Sequence, residues 1–460
     1  MKFIIHLCQP ISEPTYMRII IALFSLIGIS CLIQGCEQSN PRFQEDAATA
    51  EHLHEAMQGL TDVIVHDIFS PPQASRVYAY PSIAAYEIAR WQDSSYVSLA
   101  GQLNGLSPLP SPDPSVEYCY PLAATLSFNM VGKALIFSEE KIDQVDSILQ
   151  KKYASAGIPR DVYDRSAAYA RSVADHILSW AKKDNYNQSR SFTKFAVNEE
   201  EDRWRPTPPG YMDGIEPHWR EIRPFVLDSA QQFTPPMPTT FSMDESSTFY
   251  KELLEVYEVR KNLTDEQTEI ASFWDCNPYV LNVTGHVMHA SKKITPGGHW
   301  MGITAIACKK DSASYLRSAH AYAQTAIALA DAFISCWDEK YRSNLIRPET
   351  LINEHLDKDW LPLLQTPPFP EYTSGHSVIS SAAAIALTNI FGDNFAFDDD
   401  VELKYGLPVR SFSSFLHASE EAAISRLYGG IHYRPAIDNG VVQGRLLGKW
   451  LVSEVNFVEK

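Results

Sequence analysis

Between Ser314 and Trp337 the residues Leu316, Ala319, Ala323, Ala326, Ala330, Phe333 and Trp337 recur three and four apart, the spacing of one face of an α-helix. The alanines on that face let a neighbouring helix approach closely, so the chain must solve its packing helix on helix. Residues 41–100 and 117–190 carry the same spacing. Further helices are expected at 245–260 and 264–274, at about 377–390 stopped by Gly392, at 419–428 stopped by Gly429-Gly430, and at about 438–455. An all-α fold of two packed helical bundles follows. One segment departs from the pattern. Pro206, Pro208, Pro209, Pro217, Pro224, Pro235, Pro236 and Pro238 are too many for a helix interior, so 205–238 reads as an ordered connection between two helical halves, 36–204 and 239–460.

The first 35 residues read as an export signal, because Arg18 precedes an uncharged apolar run from Ile19 to Ile33 that is too short for a comfortable membrane span. Ile33-Gln34-Gly35-Cys36 resembles a bacterial lipobox, which would make Cys36 a lipidated N-terminus of a periplasmic or outer-membrane lipoprotein. Cys8, Cys31 and Cys36 belong to this leader, and Cys119, Cys276, Cys308 and Cys336 are widely spaced with no CxxC pair. Zinc-ribbon, thioredoxin and c-type haem signatures are therefore missing, while one or two disulfides stay open in an oxidising compartment. A net charge of −17, from 39 Lys+Arg against 56 Asp+Glu, argues against nucleic acid as the main partner. Any anion site must be a local basic pocket.

Three segments of the second half supply such a pocket. Lys340 and Arg347 stand seven apart at the end of the long helix, before Pro348. Ser374-Gly375-His376 opens an apolar helix, where unpaired amides and the helix dipole favour anions and Gly375 lets the backbone come close. Ser425-Arg426 ends another helix, and His432 follows six residues after Arg426. Taken singly, each cation would be a solvated helix end or a surface ion pair. Together they provide cations, a hydroxyl, amides and two histidines, the donor set of a tetrahedral or trigonal-bipyramidal oxyanion site.

Lys340-x6-Arg347-Pro348, Ser374-Gly375-His376 and Ser425-Arg426-x5-His432 resemble the tripartite signature of the vanadium-dependent haloperoxidases and the type-2 phosphatidic acid phosphatase superfamily. Trp204-Arg205-Pro206-Thr207-Pro208-Pro209, Arg223-Pro224-Phe225, Pro296-Gly297-Gly298-His299-Trp300 and Thr366-Pro367-Pro368-Phe369-Pro370-Glu371-Tyr372 resemble the bacterial haloperoxidase branch. The resemblance is dense from about residue 200 to 450. It implies a chloroperoxidase- and acid-phosphatase-like helical fold, vanadate as cofactor with no haem, and hydrogen peroxide and halide as substrates. Thr373 stands where the family has Pro, which should loosen the turn before Ser374. Ala436 stands where many members have an Asp that orients the imidazole, with Asp438 the nearest carboxylate to replace it.

By that resemblance His432 would be the nitrogen ligand of vanadium, His376 the acid–base residue opposite, and Lys340, Arg347, Ser374, Gly375 and Arg426 the holders of the equatorial oxygens. Trp337 and Phe369 would line the halide side, although Trp337 also continues the apolar stripe of its helix. Two rival readings use the same pocket: an exported acid phosphatase acting through a phosphohistidine at His432, and a surface protein that binds phosphate or vanadate without turnover. His286 and His289, spaced i and i+3, lack a third ligand at zinc spacing and read as structural. His299, in its Gly-Gly-His-Trp loop, reads as packed or hydrogen-bonded near the cofactor.

Overall fold

The computed structural model describes residues 40–459 except Gly285; the signal segment and Cys36 lie outside the described residues. The first half is built from α1 (Phe43–Ala47), α2 (Glu51–His66), α3 (Pro71–Ala89), α4 (Tyr120–Lys133), α5 (Glu139–Ser155), α6 (Arg160–Ala181) and α7 (Tyr186–Ser189). Pro71 and Pro121 occupy first turns, where their missing N–H breaks no bond. Every position of α3 except Gln73 is buried, because α4, α6 and the long helix of the second half surround it.

The second half holds α8 (Thr248–Lys261), α9 (Asp265–Phe273), the hairpin β1 (Val280–Thr284) and β2 (Val287–Ser291), α10 (Pro296–Lys310), α11 (Tyr315–Ser343), α12 (Pro348–His355), α13 (Gly375–Phe391), β3 (Phe397–Asp399), β4 (Arg410–Phe412), α14 (Phe415–Tyr428) and α15 (Arg434–Glu454). Among the described residues the regular structure is helical apart from two small antiparallel hairpins. Side-chain caps start the helices that matter most here: Ser314 on Arg317 N for α11, Ser374 on Ser377 N for α13 and Ser414 on His417 N for α14. The cap at Ser414 explains why α14 begins four residues earlier than its apolar pattern suggests. Likewise α11 continues past Trp337 to Ser343 and ends where Asn344 turns left-handed at φ 49°. At 1.5 Å per residue its 29 residues span about 43 Å.

Two devices fix the second half around the site. The backbones of α13 and α15 lie in contact: a Cβ on Gly444 would sit 2.0 Å from the Val378 carbonyl oxygen, and Gly440 and Gly448 face the same helix one turn either side. The proline-rich connection is held by Asp331 of α11, which accepts from the amides of Phe225 (2.6 Å), Val226 (2.8 Å) and Leu227 (3.1 Å). Apart from the 3₁₀ turn Trp219–Glu221, 205–238 forms no helix or strand.

The C-terminal residues return to the first half. Phe457 O accepts from Val97 N (3.0 Å) and from the Tyr86 hydroxyl (2.8 Å), and the Phe457 ring stacks on His320 at 4.2 Å. Cys119, Cys276, Cys308 and Cys336 are buried free thiols, so the disulfides left open by the sequence are not formed among the described residues. No described helix is long and apolar enough to cross a membrane.

Candidate oxyanion site

Arg347 caps the start of α12, Gly375 and His376 open α13, Arg426 lies in the last turn of α14, and His432 sits between α14 and α15. The last three meet at one cleft of about 740 Å³, counted to its open mouth, and Arg347 lies behind its floor, 3.1 Å from His432 Nε2. Gly375, His376, Arg426 and His432 line its floor, and Trp337, Phe369, Phe333, Ile379, Pro368 and Met212 are among its walls.

The Arg347 guanidinium is fully buried. Its Nε donates to Phe369 O (2.9 Å) and Nη1 to Ile431 O (2.8 Å), with His432 Nε2 3.1 Å away, while Nη2 has no partner. Arg426 donates through Nη1 to Trp274 O (2.8 Å), and its buried Nε is also unpartnered. So is Nε2 of His376. The two guanidinium nitrogens lack an acceptor, and His376, whose ring proton faces the Trp274 carbonyl, offers a bare Nε2 that lacks a donor, a cost that an entering oxyanion bearing a hydroxyl relieves. Tetrahedral or trigonal oxyanions meet that need, so the residues present fit vanadate. Gly375 lines the cleft with backbone alone; a Cβ there would come into van der Waals contact with the Trp337 ring at 3.8 Å.

Burial drives the charges of this pocket toward neutrality. Lys340 is pushed down to about 7 and Arg347 to about 10, and Arg426 also falls. His376 and His432 are held well below 6.5 by burial, with Arg426 bearing on the first and Arg347 on the second. At neutral pH both imidazoles are uncharged. An arginine donating to His432 Nε2 requires that nitrogen to be bare, so the ring proton sits on Nδ1.

That Nδ1 lies 2.7 Å from Oε1 of Glu371, a buried carboxyl that also accepts from Tyr433 N (2.9 Å). Glu371 is thus the orienting carboxylate. Asp438 is not: it is exposed on α15, with Arg434 and Glu255 as its charged neighbours. The Ala436 carbonyl instead accepts from Ser374 N at 3.0 Å. Burial raises Glu371 to about 8 against the pull of Arg347 and Lys340, and Oε1 can accept from His432 Nδ1 whether or not the carboxyl carries a proton on its free Oε2. The sequence signal for Glu371 was its place three residues before Ser374, but linear spacing from His432 pointed to the wrong element.

Lys340 also differs from expectation. Its ammonium donates to Pro370 O (3.1 Å), Glu371 O (3.0 Å) and Thr373 O (2.6 Å), which uses all three N–H bonds. Lys340 therefore anchors the loop that carries Glu371 and Ser374 and adds charge behind the cleft. The same loop is tied again where Thr373 donates to Gln443 Oε1 at 2.8 Å, so the missing proline leaves no slack. Ser374 accepts its cap bond through a lone pair and keeps its hydroxyl hydrogen for donation. Trp337 and Phe369 meet at 4.9 Å, with Trp337 Nε1 donating to Ile215 O at 3.1 Å. His286 is exposed, and the side chain of His289 lies outside the described residues.

Residues 320–459 match a family described as the second helical-bundle domain of VCPO. A solved structure described as the first bacterial vanadium-dependent iodoperoxidase is 53% identical, with a TM-score of 0.85 over 90% of this chain and 98% of its own. An apo-type bacterial vanadium-dependent chloroperoxidase (16% identity, TM-score 0.63, 82% and 91% covered) and a holo-type one (14%, 0.62, 92% and 98%) share the fold. No curated protein matches the chain. The three convergent helix ends, their unsatisfied nitrogens and the identity over nearly the whole chain lead to one conclusion: the chain belongs to the vanadium-dependent haloperoxidases, enzymes that oxidise halide with hydrogen peroxide at a vanadate cofactor.

Proposed function

We propose that the halide is iodide, with bromide second, and that His432, Arg347, Arg426, His376, Ser374 and Gly375 hold and work the cofactor. The 53% identity to an iodoperoxidase supports the halide. The observation that carries the site is the set of unpartnered nitrogens on His376 and Arg426, which line the cleft, and on Arg347, which lies against its floor residue His432.

Vanadate, when bound, would supply a Lewis-acidic vanadium(V) centre that activates hydrogen peroxide as an oxygen donor. The protein's part is electrostatic and positional. His432 offers a bare Nε2 because Glu371 holds its proton on Nδ1. Arg347 Nη2 and Arg426 Nε would donate to the oxyanion from fixed positions, so no reorganisation would accompany charge development. Lys340 acts through its charge and through the loop it anchors. His376, neutral at rest, accepts a proton at Nε2 from an incoming acid and returns it to a leaving oxygen. Trp337 and Phe369 shield the approach side from water, which favours the largest and least hydrated halide.

Glu371 supplies the orienting carboxyl that position 436 lacks. The assay that decides follows iodide, bromide and phosphomonoester turnover by metal-free protein before and after vanadate is added. Iodide oxidation appearing only with vanadate is expected. Efficient phosphatase activity of the vanadate-free form with no halide oxidation would reverse the reading.

We further propose that 36–204 and 239–460 are two helical units joined by 205–238. Export with lipidation at Cys36 rests on the apolar run and Ile33-Gln34-Gly35-Cys36. Mass spectrometry of the native protein should find an acylated N-terminal Cys36, and an unmodified N-terminus nearby would remove the lipid anchor while leaving export.

A further inference from the structure

Beside the cleft, sharing Cys276 with its wall, lies a second cluster to which the peroxidase reaction assigns no role. Cys276, from the segment after α9, His299, from the first turn of α10, and Glu402, from the 3₁₀ turn Val401–Tyr405, converge there, each 2% exposed or less. Cys276 Sγ is 3.4 Å from His299 Nδ1, His299 Nδ1 is 3.0 Å from Glu402 Oε1, and the sulfur and that oxygen are 4.0 Å apart. A tetrahedral ion with bonds of 2.0–2.3 Å to N, O and S would set such ligand atoms about 3.3–3.6 Å apart. The three edges bracket that value.

Three further observations point to a ligand. The other ring nitrogen of His299, Nε2, donates to Asp399 Oδ2 at 2.8 Å, the carboxylate–histidine arrangement that fixes a metal-binding tautomer with the lone pair on the opposite nitrogen. The second carboxylate oxygen of Glu402 is buried and has no hydrogen-bond partner. The Trp274 ring stacks on His299 at 4.7 Å and 19°, closing one side of the cluster. In charge terms, one thiolate and one carboxylate neutralise a divalent cation, while Asp399 is matched to the imidazole N–H.

We infer that Cys276, His299 and Glu402 bind a divalent cation of the zinc class, distinct from vanadium. A mixed sulfur, nitrogen and oxygen set suits zinc rather than magnesium or calcium, and three protein ligands leave a fourth position for water. The cation joins three segments that no disulfide joins. It also fixes Trp274, two residues before Cys276, whose carbonyl receives both Arg426 Nη1 and the His376 ring. The ion is thereby a structural support for two residues of the oxyanion cleft.

The test is metal analysis of full-length protein grown with zinc, dialysed without chelator and free of vanadate. About one zinc ion per chain is expected. Cys276→Ser and Glu402→Gln should fall to background, and Arg347→Ala, in the cleft, should keep its ion. Wild-type protein refolded with cobalt(II) should show a thiolate-to-cobalt charge-transfer band in the near ultraviolet, so the answer does not depend on the variants folding. Folded wild type that carries no transition metal and gives no such band would overturn the inference and leave an imidazolium held between Asp399 and Glu402. Undiminished zinc in Cys276→Ser would overturn it equally.

Discussion

His432 Nδ1 and Glu371 Oε1 stand 2.7 Å apart although 61 positions separate them, so a carboxylate from the loop before α13 sets the tautomer of a histidine lying after α14. Replacing that carboxylate should act on affinity more than on fold. Glu371→Gln is expected to weaken vanadate binding about 10- to 100-fold, the usual cost of losing an outer partner of a ligating histidine. Asp438→Asn, on an exposed position, should change neither binding nor turnover. Calorimetric titration of both variants checks this, and a loss in Asp438→Asn alone would return the orienting role to α15.

Arg347→Ala and Arg426→Ala remove donors whose neighbours are already buried. Each should cost about 2–5 kcal/mol of vanadate binding. Arg347→Lys should recover only part, because one ammonium cannot serve Phe369 O, Ile431 O and an oxyanion in the plane of a guanidinium. The same titration measures all three, and near-wild-type affinity in either alanine variant would mean that the arginine points elsewhere.

The cleft should take up a proton when an anion binds above neutrality. In the anion-free protein Lys340 loses its charge as pH rises through about 7. A bound anion stabilises the ammonium and raises that value. Affinity is therefore full below about pH 7 and falls above it, with proton uptake on binding in that window. Tungstate, which does not itself titrate there, is the suitable probe, in buffers of different ionisation enthalpy. Lys340→Met should bind more weakly and lose the uptake; uptake undiminished in that variant would assign the proton to another group.

Trp337→Ala and Phe369→Ala should change the ratio of iodide to bromide turnover more than they change vanadate affinity. Both rings line the cleft and neither donates to its floor. Equal losses for every halide, together with a lowered Tm, would mark them as packing residues only.

Gly444→Ala should destabilise the protein by about 1–3 kcal/mol or more, since the new methyl meets the Val378 carbonyl and forces α13 and α15 apart. Urea unfolding measures the loss. Because α13 carries Gly375 and His376, vanadate affinity should fall with it.

The spacing of apolar residues in α11 made the helical class legible, and the three anion-binding segments could be read because each sits at a helix end, where local sequence marks the boundary. Glu371 escaped because its partner is reached only through the fold: nothing in the separation of 371 and 432 encodes a 2.7 Å contact. The ammonium of Lys340 was legible as charge but not in its direction, which three backbone carbonyls decide. Gly440, Gly444 and Gly448 were visible at a four-residue interval. They carry meaning only once α13 is known to lie against them. The hairpins β1–β2 and β3–β4 are too short to show an alternating pattern above the surrounding helical one.

The return of Phe457 to Tyr86, Val97 and His320 has a consequence for biosynthesis. A chain emerging vectorially exposes α3 and the loop after it long before residue 457 has been made, so the contacts of that region with Phe457 form last. Truncations ending before 457, or bulky fusions placed directly behind it, should therefore be felt far from the cut, in the earliest-made helices.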